Sequence, residues 1–124
     1  MLIVEEEDNL RALVRELLAK RGFKVLDAPD GDEALRLCRE SPDGVHLLIT
    51  DLVLALMSGI ILAKKAMAMH PKMKTIFLED HSESTMISMG IPLSSLEYLP
   101  KPIKMKALIA KVEELLGVTP SEPR

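Results

Sequence analysis

Val45-His46-Leu47-Leu48-Ile49-Thr50-Asp51 is an almost uninterrupted apolar run that ends in a carboxylate. Pro42-Asp43-Gly44 precedes it and Ser58-Gly59 follows a short way on. A run of this length, rich in branched side chains and bounded by turn formers, reads as a strand buried on both faces of a parallel sheet. Asp51 is then its C-terminal tip. In open α/β sheets the crevice beyond the strand ends is where ligands and chemistry collect, which places an acid there for function. Taken alone, an Asp that simply turns the chain is the plainer reading. What tips the balance lies on either side.

Upstream, Leu2-Ile3-Val4 is a short apolar strand running into four acids, Glu5-Glu6-Glu7-Asp8. Leu10, Leu13, Val14, Leu17 and Leu18 then recur at helical spacing, with charged residues between them and Gly22 at the stop. Phe23 to Ala28 reads as a second strand, and Asp30-Gly31-Asp32 opens a helix with Ala34, Leu35, Leu37 and Cys38 facing inward, ending before Ser41-Pro42. Downstream, a helix from about Ile60 to His70 is closed by Pro71, and Thr75 to Leu78 forms a fourth strand. Glu79 to Gly90 is weakly helical, Glu97-Tyr98-Leu99 is a fifth strand, and Pro100-Lys101-Pro102 is a rigid turn. A last helix carries Leu108, Ile109, Val112, Leu115 and Leu116 and stops at Gly117. Five strands alternating with five helices demand a parallel sheet with right-handed crossovers and helices on both faces. Residues 1–117 are expected to form one domain, and 118–124, with two prolines, a frayed polar tail or linker remnant.

Composition closes several routes. The 124 residues, 48% hydrophobic, bury one good core, and a net charge of −3 offers no basic stripe for nucleic acid, so direct contact with DNA is not expected. The single cysteine, Cys38, allows no internal disulfide and falls on an apolar helical face, where a small buried side chain is expected. No stretch approaches bilayer-spanning length and no secretion signal opens the chain, so a cytoplasmic location is expected.

Together the acidic cluster after the first strand, Ile49-Thr50-Asp51 after the third, Met57-Ser58-Gly59, and Tyr98-Leu99-Pro100-Lys101-Pro102 after the fifth resemble the receiver domain of bacterial two-component response regulators. The resemblance runs from Leu2 to about Leu116, and it implies a flavodoxin-like doubly wound sheet of order 2-1-3-4-5. It also implies that Asp51 is the phosphoacceptor, served by a histidine kinase or phosphotransfer protein. Glu5 and Glu6 stand at the acidic pair that holds Mg²⁺ with Asp51 and the Val53 carbonyl, and Lys101, before a cis Pro102, steadies the phosphoryl group. The side-chain chemistry agrees: a carboxylate and a phosphoryl donor repel each other, and a cation with oxygen ligands offsets that repulsion. Output, through an attached domain or partner, is implied at the face of the fourth helix, fifth strand and fifth helix, where Tyr98, Met86 and Met89 lie. Such a protein is not an enzyme toward an external substrate.

The sequence departs from this family at the switch position. Glu79 stands where receivers carry Thr or Ser, and Asp80 where they carry a small residue. A carboxylate repels a phosphoryl oxygen and has no proton to donate at neutral pH. From the reach of the two side chains, Glu79 is expected to pair with Lys101 over Asp51. Glu6, longer than the usual Asp, and Ala55, where Pro is common, are milder departures. A degenerate receiver, read by partners without phosphate, is therefore the alternative. A haloacid-dehalogenase-type phosphatase would need an acid where Val53 stands, and a flavodoxin-like cofactor site would not tolerate the acidic loop. Glu7 and Asp8 read as acids favouring the start of the first helix. His46, His70 and His81 lack metal-ligand spacing.

Overall fold

The computed structural model describes residues 1–91 and 96–118. Its elements run β1 Leu2–Val4, α1 Asp8–Lys20, β2 Leu26–Ala28, α2 Gly31–Arg39, β3 Leu47–Asp51, α3 Gly59–Met69, β4 Lys74–Glu79, α4 Glu83–Ser88, β5 Tyr98–Pro100 and α5 Met105–Leu116. All pairings are parallel and the strand order is 2-1-3-4-5, the order expected from the alternation of elements.

β3 is buried at every residue because helices cover both of its faces. Its side chains alternate between two cores. Leu48 joins Leu2, Val4, Leu62, Ala66, Phe77 and Met86 on the α2–α3–α4 side. Leu47 and Ile49 join Ile3, Val14, Leu18, Ile76, Leu108 and Val112 on the α1–α5 side. Each such aliphatic side chain contributes about 2 kcal/mol by leaving water, so the central strand is the most firmly held part of the sheet.

Caps set the helix starts. The Glu7 carboxylate accepts the Asn9 and Leu10 N–H groups and Asp8 sits in the first turn, as the acidic run suggests. Asp30, Ser58 and Ser82 cap α2, α3 and α4 through the N–H groups of Glu33, Ile61 and Thr85. Gly117, in the left-handed region at φ 70°, ends α5.

Boundaries moved where backbone pairing, not hydropathy, decides. β2 begins at Leu26 rather than Phe23, and β5 spans Tyr98–Pro100 rather than Glu97–Leu99. β3 is assigned from Leu47, although the His46 carbonyl still accepts the Lys74 N–H. The uncertain stretch after β4 holds a helix of six residues. Cys38 is buried, as its helical face predicts, and burial pushes its thiol pKa up. Met86 is a correction: expected on a partner surface, it is 1% exposed in the core, whereas Met89 is half exposed. The expected tail lies, from residue 119 onward, outside the described residues. Among the described residues no helix is long and apolar enough to cross a membrane.

One turn binds the fold to Asp51. The Gly59 N–H donates to the Leu52 carbonyl at 2.8 Å, drawing the start of α3 against the end of β3. A β-carbon on Gly59 would fall 2.1 Å from the Asp51 carbonyl oxygen. Gly59→Ala is expected to destabilise the protein by about 3 kcal/mol, since backbone rather than a flexible side chain must yield. Urea unfolding measures this; a loss below about 0.5 kcal/mol would mean that the turn opens freely.

Candidate functional site

The ends of β1, β3, β4 and β5 converge because parallel strands finish on one side of the sheet. Val4 is in register with Thr50, and Asp51 with Leu78, so Glu5 and Asp51 emerge next to each other and Glu79 one residue further along β4. Between them lies a crevice of about 280 Å³ lined by Glu5, Glu6, Asp51, Val53, Glu79 and Lys101, among others.

Lys101 reaches into this crevice from the turn after β5. Its Nζ donates to Glu5 Oε1 at 2.6 Å and stands 2.8 Å from Asp51 Oδ1. The second contact is an ion pair outside hydrogen-bonding angles, so Asp51 Oδ1 is buried without a hydrogen-bond partner. Glu5 is fully engaged: its Oε2 accepts the Glu7 N–H at 2.9 Å. Arg11 anchors the same strand end, donating from Nη1 to the Glu5 carbonyl at 2.8 Å and from Nε to Asp27 at 3.1 Å. The Lys101-Pro102 bond is cis, as the resemblance implies.

Two carboxylates therefore share one ammonium in a buried setting. Burial pushes the Asp51 carboxyl pKa up to about 7; Lys101 pulls it down, and Glu5 pushes it up again. Burial acts on Glu5 in the same sense, but the Glu7 N–H, Lys101 and Asp51 outweigh it and hold Glu5 below its ordinary value. For Lys101 burial favours the neutral amine, and the two carboxylates more than reverse that. Near neutral pH a proton is thus held with comparable ease by Asp51 or released, while Glu5 and Lys101 stay charged.

The expected Glu79–Lys101 ion pair does not form. The two residues are joined through the backbone, Lys101 N–H to Glu79 carbonyl at 2.7 Å, while their side chains part. Glu79 is buried, and its Oε1 accepts the N–H groups of Asp80 at 2.8 Å and His81 at 3.0 Å and meets His81 Nδ1 at 2.5 Å. Local donors two residues away outcompete a lysine that already has two acids. Burial raises the Glu79 carboxyl, but the His81 backbone and side-chain contacts and the Asp80 N–H lower it further, leaving it below its ordinary value.

The family model described as the response regulator receiver domain matches residues 1–113. The chain belongs to this family. This receiver domain is 32% identical over 117 residues to the sensor kinase CckA of Brucella abortus (strain 2308), covering 94% of this chain and 12% of that protein. It is 33% identical to the transcriptional regulatory protein CpxR of Klebsiella pneumoniae subsp. pneumoniae (strain HS11286), over 94% of this chain and 48% of that one. The receiver domain thus spans about half of one relative and about an eighth of the other. A crystal structure of the receiver domain of the hybrid histidine kinase CckA superposes with a TM-score of 0.76 at 34% identity, covering 93% of this chain and 96% of that one. A response regulator receiver domain protein from Clostridium thermocellum, with a TM-score of 0.79 at 24% identity, shows the same fold.

Glu5, Asp51 and Lys101 are brought together within the receiver's crevice, and Val53 and Glu6 stand at its rim. Glu6 is partly committed: its Oε2 accepts the Ala55 N–H at 3.0 Å, tying the loop after β1 to the loop after β3. Tyr98 is half-buried and packs against the α2–α3–α4 core. His81 lacks metal-ligand spacing, and Arg11 falls among the charged residues between the apolar positions of the first helix, so neither stands out in the sequence. The available signal for His81 was its place two residues after an acid at a strand end. For Arg11 it was an arginine one turn into a helix beside a β2 aspartate.

The donors at the crevice fit a divalent cation of the Mg²⁺ kind. They are hard oxygens, and Asp51 Oδ1 is a buried acceptor with no hydrogen bond. No cluster of three or more acidic, histidine or cysteine side chains stands ready as a cage among the described residues. Mg²⁺ retains several waters and needs only one or two carboxylates.

Proposed function

We propose that this receiver domain accepts a phosphoryl group on Asp51 from a histidine kinase or phosphotransfer partner, in the presence of Mg²⁺. The observation that carries this reading is the placement of Asp51, 2.8 Å from Lys101 and beside Glu5 at the buried end of the central strand. An Asp51 oxygen attacks phosphorus, and the bond from phosphorus to the donor breaks. Lys101, a movable point charge, shifts from the carboxylates to a phosphoryl oxygen. Glu6, Asp51 and the Val53 carbonyl would hold Mg²⁺, with Glu5 adding negative charge behind Lys101. When bound, the cation supplies the positive charge that offsets repulsion between carboxylate and phosphate. The chain assists its own modification and turns over no external substrate, consistent with a cytoplasmic signalling module of residues 1–117. Partners or an output domain would read the α4–β5–α5 face, where Ile87 and Met89 are exposed.

The experiment is incubation with acetyl phosphate and Mg²⁺, followed by intact mass and peptide mapping. One phosphoryl group on Asp51 is expected. Modification elsewhere, with Asp51 untouched, refutes the assignment. The buried acid at position 79 favours a second reading, an interaction module that works without phosphate, and complete absence of modification would select it.

Mg²⁺ should also stabilise the fold, because it binds crowded carboxylates that repel one another without it. A rise in Tm of a few degrees at millimolar Mg²⁺ is expected. An unchanged Tm, or an equal rise in Asp51→Asn, argues against the site.

A further inference from the structure

Transfer to Asp51 leaves the Glu79–His81 pair without a task. Glu79 is 4% exposed at the tip of β4, and its ionised carboxylate can only accept hydrogen bonds. His81 Nδ1, 2.5 Å from Oε1, is the ring nitrogen that faces the carboxylate and donates to it, which leaves Nε2 as the nitrogen turned away from Glu79. Nε2 has no partner among the described residues, the side chain is 45% exposed, and the imidazole lines the same crevice as Asp51 and Lys101. A buried carboxylate orienting an imidazole whose free nitrogen meets water is the arrangement of a positioned base.

We propose that His81 is the general base for hydrolysis of the phosphoryl group on Asp51, with Glu79 as its positioning residue. The proposal rests on the phosphoacceptor reading above. Nε2 takes a proton from a water molecule as the water oxygen bonds to phosphorus. The bond between phosphorus and the Asp51 oxygen breaks, its electron pair returns to the carboxylate, and inorganic phosphate leaves. The imidazolium then gives its proton to solvent. Glu79 stabilises that transient charge from behind, which a Thr or Ser at this position would not do. The acid that spoils the usual switch thereby shortens the life of the phosphorylated state.

Native chain, His81→Ala and Glu79→Gln are labelled with acetyl phosphate and Mg²⁺, the donor is removed, and loss of label is followed by intact mass. His81→Ala is expected to hold the phosphoryl group about 100-fold longer, the lower end of what a positioned general base contributes. Glu79→Gln, which keeps an acceptor but loses the charge, should fall between. Free imidazole added to His81→Ala should shorten the lifetime again and leave the native chain unaffected. Equal lifetimes for native and His81→Ala overturn the proposal. So does a longer lifetime that free imidazole does not restore, because a merely structural effect gives that result. If no chain takes label, the phosphoacceptor reading fails and takes this proposal with it; label with equal decay removes this proposal alone.

Discussion

Asp51→Asn is expected to lose all phosphoryl uptake and yet to be more stable than the native chain, by about 2 kcal/mol at pH 8 in metal-free buffer. The first outcome follows because an amide has no anionic oxygen to attack phosphorus. The second follows from the direction of the Asp51 shift. Its folded-state value of about 7 lies above the ordinary 3.8, so between those values the folded chain binds a proton that the unfolded chain does not. Stability is therefore fully present below the ordinary value and falls as pH rises toward 7. At pH 8 the native protein carries the whole cost of an ionised Asp51 beside Glu5. Asparagine removes it, less the attraction lost to Lys101. Between pH 8 and pH 5 the folded native carboxyl takes up its proton, so the advantage of asparagine should shrink by about 2–3 kcal/mol and vanish or reverse. Chemical denaturation at both pH values checks this. A stability gain that is the same at pH 5 and pH 8 would mean that Asp51 is not the titrating group.

Lys101→Ala should act in the opposite sense and more strongly, costing about 3 kcal/mol at pH 8. It strips the single cation from two buried carboxylates, and Glu5 has no other cationic partner among the described contacts. The cost should shrink at pH 5, where a proton on Asp51 does part of what Lys101 did. In the Lys101→Ala, Asp51→Asn double variant the loss should be clearly smaller than in Lys101→Ala alone, because contacting charges do not behave additively. A double variant no more stable than the single one would show that Lys101 stabilises the fold by its packing rather than by its charge.

Much of this arrangement was legible in the order of residues. An apolar run ending in Asp51 carries its own prediction, since a strand without polar relief must be covered on both faces. The alternation of five such runs with amphipathic helices then leaves little choice of topology. Caps could be read as well: Glu7 and Asp8 were placed correctly at the start of α1 by their charge. Glu79 was misread for a physical reason. Its reach suggested Lys101, but reach does not count competing donors, and the turn after β4 offers two N–H groups and an imidazole within two residues. Lys101 in turn was already held by Glu5, a pairing across 96 residues of sequence. Met86 was misplaced because a six-residue helix carries too few apolar positions for a face to be read. The tie from Glu6 to the Ala55 N–H had no signal at all, since backbone donors in loops leave no mark in composition.

The two outer strands of the sheet, β2 and β5, have three residues each. An open strand edge is a template on which another chain can lay a strand, and long, flat, apolar edges invite aggregation. Here β5 finishes in Pro100, which has no N–H to offer a neighbour. β2 carries at its centre Asp27, whose carboxylate is bound by Arg11 and Arg15 from the overlying helix. A second copy arriving at either side would find only a short ladder to pair with, blocked by a proline on one edge and charged on the other. Both edges among the described residues are thereby guarded against strand addition, the step from which edge-to-edge aggregation grows.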